Sequence, residues 1–313
     1  MTRDLPVIDV APLRSPDRAA RRQVAAALGK ACRETGFFYV AGHGIADATL
    51  QAMFDAARRF FAQPLDAKRQ LARNLVGNNR GYVELGHERL DLDAAPDRKE
   101  AFNIGLELPT GHPAHAQPFR GANAWPDLPG FRALMLSYYD ACLALGTLIH
   151  RGFALDLGLD EHVFDSALDL PMATLRLLHY PPAAAGVAGP GAGTHTDYGN
   201  LTLLAVDGVA GLQVQGRDGR WILAPHIPGC FVCNIGDCLM RWSNDIYVST
   251  PHRVSPPERD RTSIAFFLDP NPDAIVTPVT TDPSRPSRYP PVTGAEFLQS
   301  RLDATYRHVP AAF

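Results

Sequence analysis

Hydrophobic and polar positions change their rhythm partway along the chain. Over the first 170 residues, apolar positions mostly recur every three or four residues, the period of a helix with one buried face. A short apolar run, PVIDV, precedes an amphipathic stretch from about Ser15 to Glu34, with Ser15 expected as N-cap, Pro16 as first helical residue and Gly36 as the stop. GFFYVAGHGI reads as a strand. A second helix is expected from about Ala48 to Ala62, where Leu50, Met53, Phe54, Ala57, Phe60 and Phe61 share one side. A third apolar segment runs from Phe131 to about Leu157, with LGLDEHVF as a short helical appendage.

From Met172 onward the period shortens. Runs of four to eight residues rich in Val, Ile, Leu, Thr and Phe alternate with turn residues: ATLRLLHY, NLTLLAVD, GLQVQ, WILAP, CFVCNIG, YVSTPHRV and TSIAFFLDP. The Asp218-Gly219 pair marks a hairpin between GLQVQ and RWILAP. Many short strands at regular spacing predict a sandwich or barrel, and their length favours a jelly roll. A last amphipathic helix, about Gly294 to Tyr306, is expected outside it, with Thr293 and Glu296 as a capping box. The chain therefore reads as mainly β with α. It is expected to form one domain, with a helix-rich packing region over 1–170, a jelly-roll core over 171–280, and a C-terminal tail and helix over 281–313.

Composition narrows the classes of function. In 313 residues, 46% are hydrophobic and 20% charged, enough apolar material for a substantial core. A formal charge of -3 argues against nucleic acid as partner, since phosphate binding leaves a basic patch or stripe. The opening MTRDLPVIDVAPL lacks the apolar stretch of a signal peptide, and no run approaches the roughly 18 to 20 apolar residues that span a bilayer, so a cytoplasmic location without a membrane partner is expected. The five cysteines are sparse and odd in number, which suits reduced thiols. Cys230-Phe-Val-Cys233 has a redox-motif form, but residues three apart on a strand face opposite ways, so both are read as structural thiols.

Candidate chemistry begins at GTHTDYGNLTLL. Residues two apart on an extended chain share a face, so His195 and Asp197 can offer an imidazole nitrogen and a carboxylate oxygen to one ion; alone, the pair is equally a polar strand end. YVSTPHRVSPPERDRTSIAFF adds His252, then Arg261 and Ser263, again two apart. Two histidines and one carboxylate form the facial set that binds ferrous iron with positions left open, whereas structural zinc normally takes four protein ligands. A guanidinium fork and a hydroxyl on one face can hold a carboxylate at a distance from the metal.

Taken together, these motifs resemble the iron(II)- and 2-oxoglutarate-dependent oxygenases of the isopenicillin N synthase-like group. The likeness spans nearly the whole chain: LPVIDVAPL and ETGFFYVAGHGI at the start, with Gly42 where Asn is frequent, then NRGYVELGHERLD, DRKEAFNIG and LRLLHYPP, then the His195-Thr-Asp197, His252 and Arg261-Thr-Ser263 signatures in order. The resemblance implies a double-stranded β-helix fold. It implies iron(II) on His195, Asp197 and His252, and 2-oxoglutarate with its distal carboxylate on Arg261 and Ser263. Dioxygen is then the second co-substrate, and succinate and carbon dioxide are formed while a small molecule is hydroxylated or desaturated. A carboxylate at Asp197, where halogenating relatives carry a small residue, disfavours halogenation.

Tyr180, in LLHYPP, matches a tyrosine that in relatives reaches co-substrate or substrate; as a strand tyrosine it can equally cap the core. For the substrate wall the candidates are Arg80, Tyr82, Phe102 and Phe267. Arg80 either clamps a substrate carboxylate or pairs with Glu84 or Glu88. Phe102 and Phe267 are alternatively core residues, although Phe267 shares the face of Ser263. The small-residue run over 183–193 reads as a mobile loop at the mouth or a plain spacer. His43 is read as a turn residue, His179 as a strand residue, and Asn234, Asp237 and Asn244 as turn formers. Two other readings of the constellation are an iron oxidase that takes all its electrons from the substrate, and a non-catalytic or cupin-like metal-binding jelly roll. Oligomeric state is not set by the sequence, and a site built from one chain is compatible with a monomer.

Overall fold

The computed structural model describes residues 5–72, 79–182, 189–279 and 284–306. Its strands are β1 (Val7–Asp9), β2 (Phe37–Ala41), β3 (Gly81–Val83), β4 (Glu100–Gly105), β5 (Thr174–Tyr180), β6 (Ala192–His195), β7 (Leu201–Val206), β8 (Leu212–Gln215), β9 (Trp221–Leu223), β10 (Phe231–Ile235), β11 (His252–Val254) and β12 (Arg261–Leu268). The helices are α1 (Arg18–Glu34), α2 (Asp47–Phe61), α3 (Leu65–Arg69), α4 (Phe131–Asp156), α5 (Asp237–Trp242) and α6 (Gly294–Tyr306). A major sheet in the order β1-β2-β10-β7-β12-β5-β4-β3 faces a minor sheet β6-β11-β8-β9, the two-sheet arrangement of a jelly roll. β1 to β4 all come from the first 105 residues, so the N-terminal region extends the sheet as well as packing on it.

Period-two alternation divides the major sheet's two faces. On β12, Ile264, Phe266 and Leu268 join a large core with α1, α2 and α4, while Arg261, Ser263, Ala265 and Phe267 line the space between the sheets. β5 repeats the division, with Leu175 and Leu177 on the helix side and Arg176, Leu178 and Tyr180 inside. Helix α4 is long and apolar enough to cross a membrane by composition, more than the sequence pattern led us to expect. Met135, Tyr138, Cys142, Leu145, Ile149 and Phe153 are nonetheless buried in this core, which accounts for its apolar faces.

Two local expectations need correction. α1 starts at Arg18 with Asp17 as its cap, because the Asp17 carboxylate accepts from the Ala19 N–H at 2.9 Å; Ser15 instead accepts from Asp17 N–H, and Pro16 lies outside the helix. LGLDEHVF forms turns leading into a short 3-10 segment at Asp165–Ala167. The capping box is present: Thr293 N–H and hydroxyl both donate to Glu296 Oε2, and Glu296 N–H donates back to Thr293 Oγ1. So is the hairpin, in which Gly219 takes φ +79°, a conformation that suits glycine, between β8 and β9.

Candidate metal centre and cavity

His195 ends β6, His252 opens β11, and antiparallel pairing sets the two directly opposite, with ring centroids 4.3 Å apart. Asp197 lies two residues beyond His195, in the turn toward β7. Its Oδ1 is 3.8 Å from His195 Nε2 and 3.7 Å from His252 Nε2, and the three ligand atoms lie within 4.8 Å of one another. Each imidazole also has its Nδ1 on a backbone carbonyl, Gly193 O at 2.7 Å and Thr250 O at 3.2 Å. A carbonyl only accepts, so Nδ1 carries the hydrogen and the Nε2 lone pair faces Asp197. The second carboxylate oxygen of Asp197 is held by the Thr202 hydroxyl at 2.5 Å and Asn234 Nδ2 at 2.8 Å, which leaves Oδ1 for an ion.

The backbone fixes this geometry. N–H groups at the start of α5 donate to the carbonyls of the metal turn, Asp237 to Asp197 and Cys238 to Tyr198 and Gly199. Gly236 permits the approach, since a Cβ there would meet Gly199 O at 2.2 Å. Phe37 packs edge-on against the His252 ring, 5.2 Å between centroids. Burial, reinforced by His252, pushes His195 down to about 3. Burial alone would raise Asp197, but His252, His195 and its two donors outweigh it and hold the carboxyl below its usual range. A neutral imidazole beside an anionic carboxylate fits a divalent cation, and three protein ligands fit one with coordination positions left open.

The same cavity reaches Arg261, which pairs across the sheet with Tyr180 and is 1% exposed. Its guanidinium lies 4.7 Å from the Tyr180 ring centroid and donates to Ser263 Oγ at 3.4 Å and Val209 O at 3.3 Å. It has no carboxylate partner among the described residues. A buried cation without a counter-ion is costly, so the site suits an anionic ligand. Tyr180, Ser263 and Phe267 thus lie on the cavity wall with the His-Asp-His set.

Three of the expected substrate residues are elsewhere. Tyr82 and Phe102 are register partners on β3 and β4, and their shared face looks toward the helical core. Phe102 packs 4.4 Å from Phe60, and the Tyr82 hydroxyl donates to Glu100 at 2.6 Å. Asn103, one residue on from Phe102, takes the cavity side of β4. Arg80 neither reaches the cavity nor pairs with Glu84 or Glu88. Its buried guanidinium donates to the carbonyls of Phe119 and Gly121 and to Asn123 Oδ1, and burial pushes it down to about 10. Glu84 is held by Arg69, and Glu88 by Arg176 and Lys99.

Asn234 is also corrected: it sits inside β10 as a support of Asp197, and Asp237 opens α5 as a partner of Arg301 and acceptor from Thr196. Asn244 does occupy a turn, at φ +56°. His43 sits between two left-handed glycines, and His179 lies in β5. Cys230 and Cys233 are both free and pack in different clusters. Of the small-residue run, 183–188 lies outside the described residues; beyond it, Pro190 O accepts from Arg98 N–H and Gly193 N–H donates to Asp97.

The sequence reading missed Thr202 and Asn234, the polar wall formed by Glu88, Lys99, Asn103 and Arg176, and Asp269 at the end of β12. A polar residue inside an apolar strand such as FVCNI or LTLLAV was the available signal, because a buried polar group needs a partner.

Residues 5–128 match the family described as non-haem dioxygenase in morphine synthesis N-terminal, and residues 171–270 the 2OG-Fe(II) oxygenase superfamily. Among curated relatives, the 2-oxoglutarate-Fe(II) type oxidoreductase hxnY of Emericella nidulans is 35% identical over 96% of this chain and 90% of its own length. Homoarginine-6-hydroxylase 2-ODD-233 of Oryza sativa is 39% identical over 88% of each chain. Among solved structures, a full-length Neurospora crassa protein in complex with alpha-KG and thymine superposes with a TM-score of 0.86 at 33% identity, covering 96% of this chain and 97% of that one.

Proposed function

We propose that this chain, which belongs to the iron(II)- and 2-oxoglutarate-dependent oxygenases of the isopenicillin N synthase-like type and is a non-haem iron dioxygenase, holds iron(II) on His195, Asp197 and His252 and oxidises a C–H bond of a small molecule. The observation that carries the assignment is the buried Arg261, without a carboxylate partner among the described residues, in the cavity that also contains the His-Asp-His set. Bound iron and keto acid supply dioxygen reduction coupled to loss of carbon dioxide, giving succinate and an oxidant competent for an unactivated C–H bond.

The chain's own groups position and exclude. His195 and His252 present their Nε2 lone pairs because their Nδ1 hydrogens point at carbonyls. Thr202 and Asn234 keep Asp197 on one oxygen. Arg261 and Ser263 receive the distal carboxylate of 2-oxoglutarate, and Tyr180 shields that ion pair by lying against the guanidinium. Leu178, Leu204, Leu212 and Val254 surround this end of the cavity and keep water from it. Phe267 stands beyond Ser263 on the same face, on the substrate side.

Relatives named for homoarginine hydroxylation, and a neighbour solved with thymine, make small polar metabolites the first substrates to try. The test is substrate-stimulated formation of succinate from 2-oxoglutarate, with mass spectrometry of the product. A gain of one oxygen marks hydroxylation and a loss of two hydrogens desaturation. Turnover of a substrate without succinate would overturn this reading in favour of an oxidase that draws all its electrons from the substrate.

A further inference from the structure

We propose that the primary substrate carries a positive charge, an amine or guanidinium, and that Asp269, opposite Asn200 in the sheet register, forms the subsite receiving it; this rests on the oxygenase reading above. Asp269 follows β12 directly, two residues beyond Phe267 on the cavity side, and lines the same cavity as the metal ligands while being only 7% exposed. Leu268 pairs with Leu201, and Asn200 N–H donates to Leu268 O at 2.8 Å, so Asn200 lies opposite Asp269. Asn200 is fully buried, and neither its Nδ2 nor its Oδ1 has a hydrogen-bond partner. Asp269 has no ion-pair partner among the described residues. Gly199 makes the room it occupies, since a Cβ at that position would come within 2.8 Å of Asp269 Oδ1.

Charge balance singles out Asp269 from the other acids. Glu88 faces Arg176 and Lys99, and Lys99 also holds Asp97. Asp197 faces the metal position, and Arg261 the distal carboxylate of the keto acid. Iron(II) and 2-oxoglutarate cancel each other's charge. Among the described residues the cavity is lined by three carboxylates, Glu88, Asp197 and Asp269, and three cations, Lys99, Arg176 and Arg261. Each of those cations already faces another anion, Glu88 or Asp97 for Lys99 and Arg176 and the keto acid for Arg261, so Asp269 is the lining carboxylate left without a cation. Burial, with the charge of Asp197, pushes Asp269 up to about 7, as befits a carboxylate with no cation of its own. A substrate ammonium or guanidinium would give Asp269 its counter-ion.

The alternative occupants are a water molecule or a proton, and either would leave the subsite indifferent to substrate charge. The experiment uses the full chain loaded anaerobically with iron(II) and 2-oxoglutarate, whose chelate gives a visible charge-transfer band. Butylguanidine is titrated against its neutral isostere butylurea, and benzylamine against benzyl alcohol, with the change in that band as the readout. The expected result is binding of at least one cation, preferred over its neutral counterpart by about tenfold or more. In Asp269→Asn that preference should disappear while the band and the melting temperature are retained. Should Asp269→Asn fail to fold, the wild-type cation-to-neutral ratio decides alone. No cation binding, neutral isosteres binding as well as cations, or an unchanged preference in a folded Asp269→Asn overturns the inference. Absence of the band overturns the oxygenase reading and this subsite with it; a band without a charge preference overturns the subsite alone.

Discussion

Arg261 and Tyr180 stand directly opposite on β12 and β5, with the guanidinium 4.7 Å from the ring centroid and almost wholly buried. The ring face supplies negative potential without consuming the cation's hydrogen-bond donors, which stay available for a carboxylate. Substitution should therefore grade by what it removes. Tyr180→Phe keeps the ring and should change the KM for 2-oxoglutarate by less than about threefold, while Tyr180→Leu loses roughly 0.5 to 2 kcal/mol of cation–π attraction and should raise it several-fold or more. Arg261→Gln removes the charge and should raise it by about tenfold to a hundredfold or more. Steady-state succinate formation against 2-oxoglutarate concentration reads all three; equal effects of the two Tyr180 variants would show that the ring face is irrelevant.

Asn234 and Thr202 together fix which Asp197 oxygen meets the metal. Removing an outer partner of a ligand typically costs about tenfold to a hundredfold in metal affinity. Asn234→Leu and Thr202→Val should each weaken iron(II) binding, measured by competition with a chelator, and the double variant more than either because no donor then holds Asp197 Oδ2. Unaltered affinity in the double variant would mean that the backbone alone positions Asp197.

The division between what the sequence disclosed and what it concealed follows from the range of the signals. His195, Asp197, His252, Arg261 and Ser263 were legible because each motif is local and their order along the chain is itself informative. The strands of the jelly roll were legible from period two, and Phe267 came with them by parity from Ser263. Tyr82 and Phe102 were misplaced because parity is only useful once one residue of a strand has been anchored to a face, and nothing in NRGYVELG or KEAFNIG does so. Asn234 was read as a turn former because its type favours turns, whereas a buried partner 37 residues earlier in the chain decides its place. Asp269 looked like the end of a strand; only the charges around it, gathered from several strands and loops, distinguish it.

Arg80 offers a check on one of these corrections. Its guanidinium ties the 119–123 segment to β3 by donating to two carbonyls and an amide oxygen. Arg80→Ala takes the donor from the Phe119 and Gly121 carbonyls, while Asn123 Oδ1 keeps the Gly105 N–H, and should cost about 1 to 3 kcal/mol of stability. Because Arg80 is not on the cavity wall, the folded fraction should keep the KM values of the wild type. Urea midpoints and steady-state kinetics together separate the outcomes, and a large KM change at unchanged stability would restore Arg80 as a substrate residue.

The ion network behind β5 should contribute a pH dependence of known sign to folding. His179 Nδ1 lies 2.8 Å from Glu100 Oε1, and its Nε2 lies 3.0 Å from Asp260 Oδ1; Glu100 also meets Lys68 at 2.7 Å. Burial works to lower His179, but the hydrogen bonds and charges of Glu100 and Asp260 outweigh it and raise the imidazole above its ordinary value. A raised folded-state value means that the native chain binds a proton that the unfolded chain has begun to release. The stabilisation is then fully present below the unfolded value, near 6.5, and is lost as pH rises through the folded value. Buried histidines whose values are lowered, such as His150 and His195, contribute with the opposite sign, so the His179 contribution is read as the difference between wild type and His179→Gln in urea unfolding between about pH 5.5 and 8.5. The wild type should exceed His179→Gln in stability at the acid end and approach it at the alkaline end; a difference that grows with pH would contradict a protonated His179 between the two carboxylates.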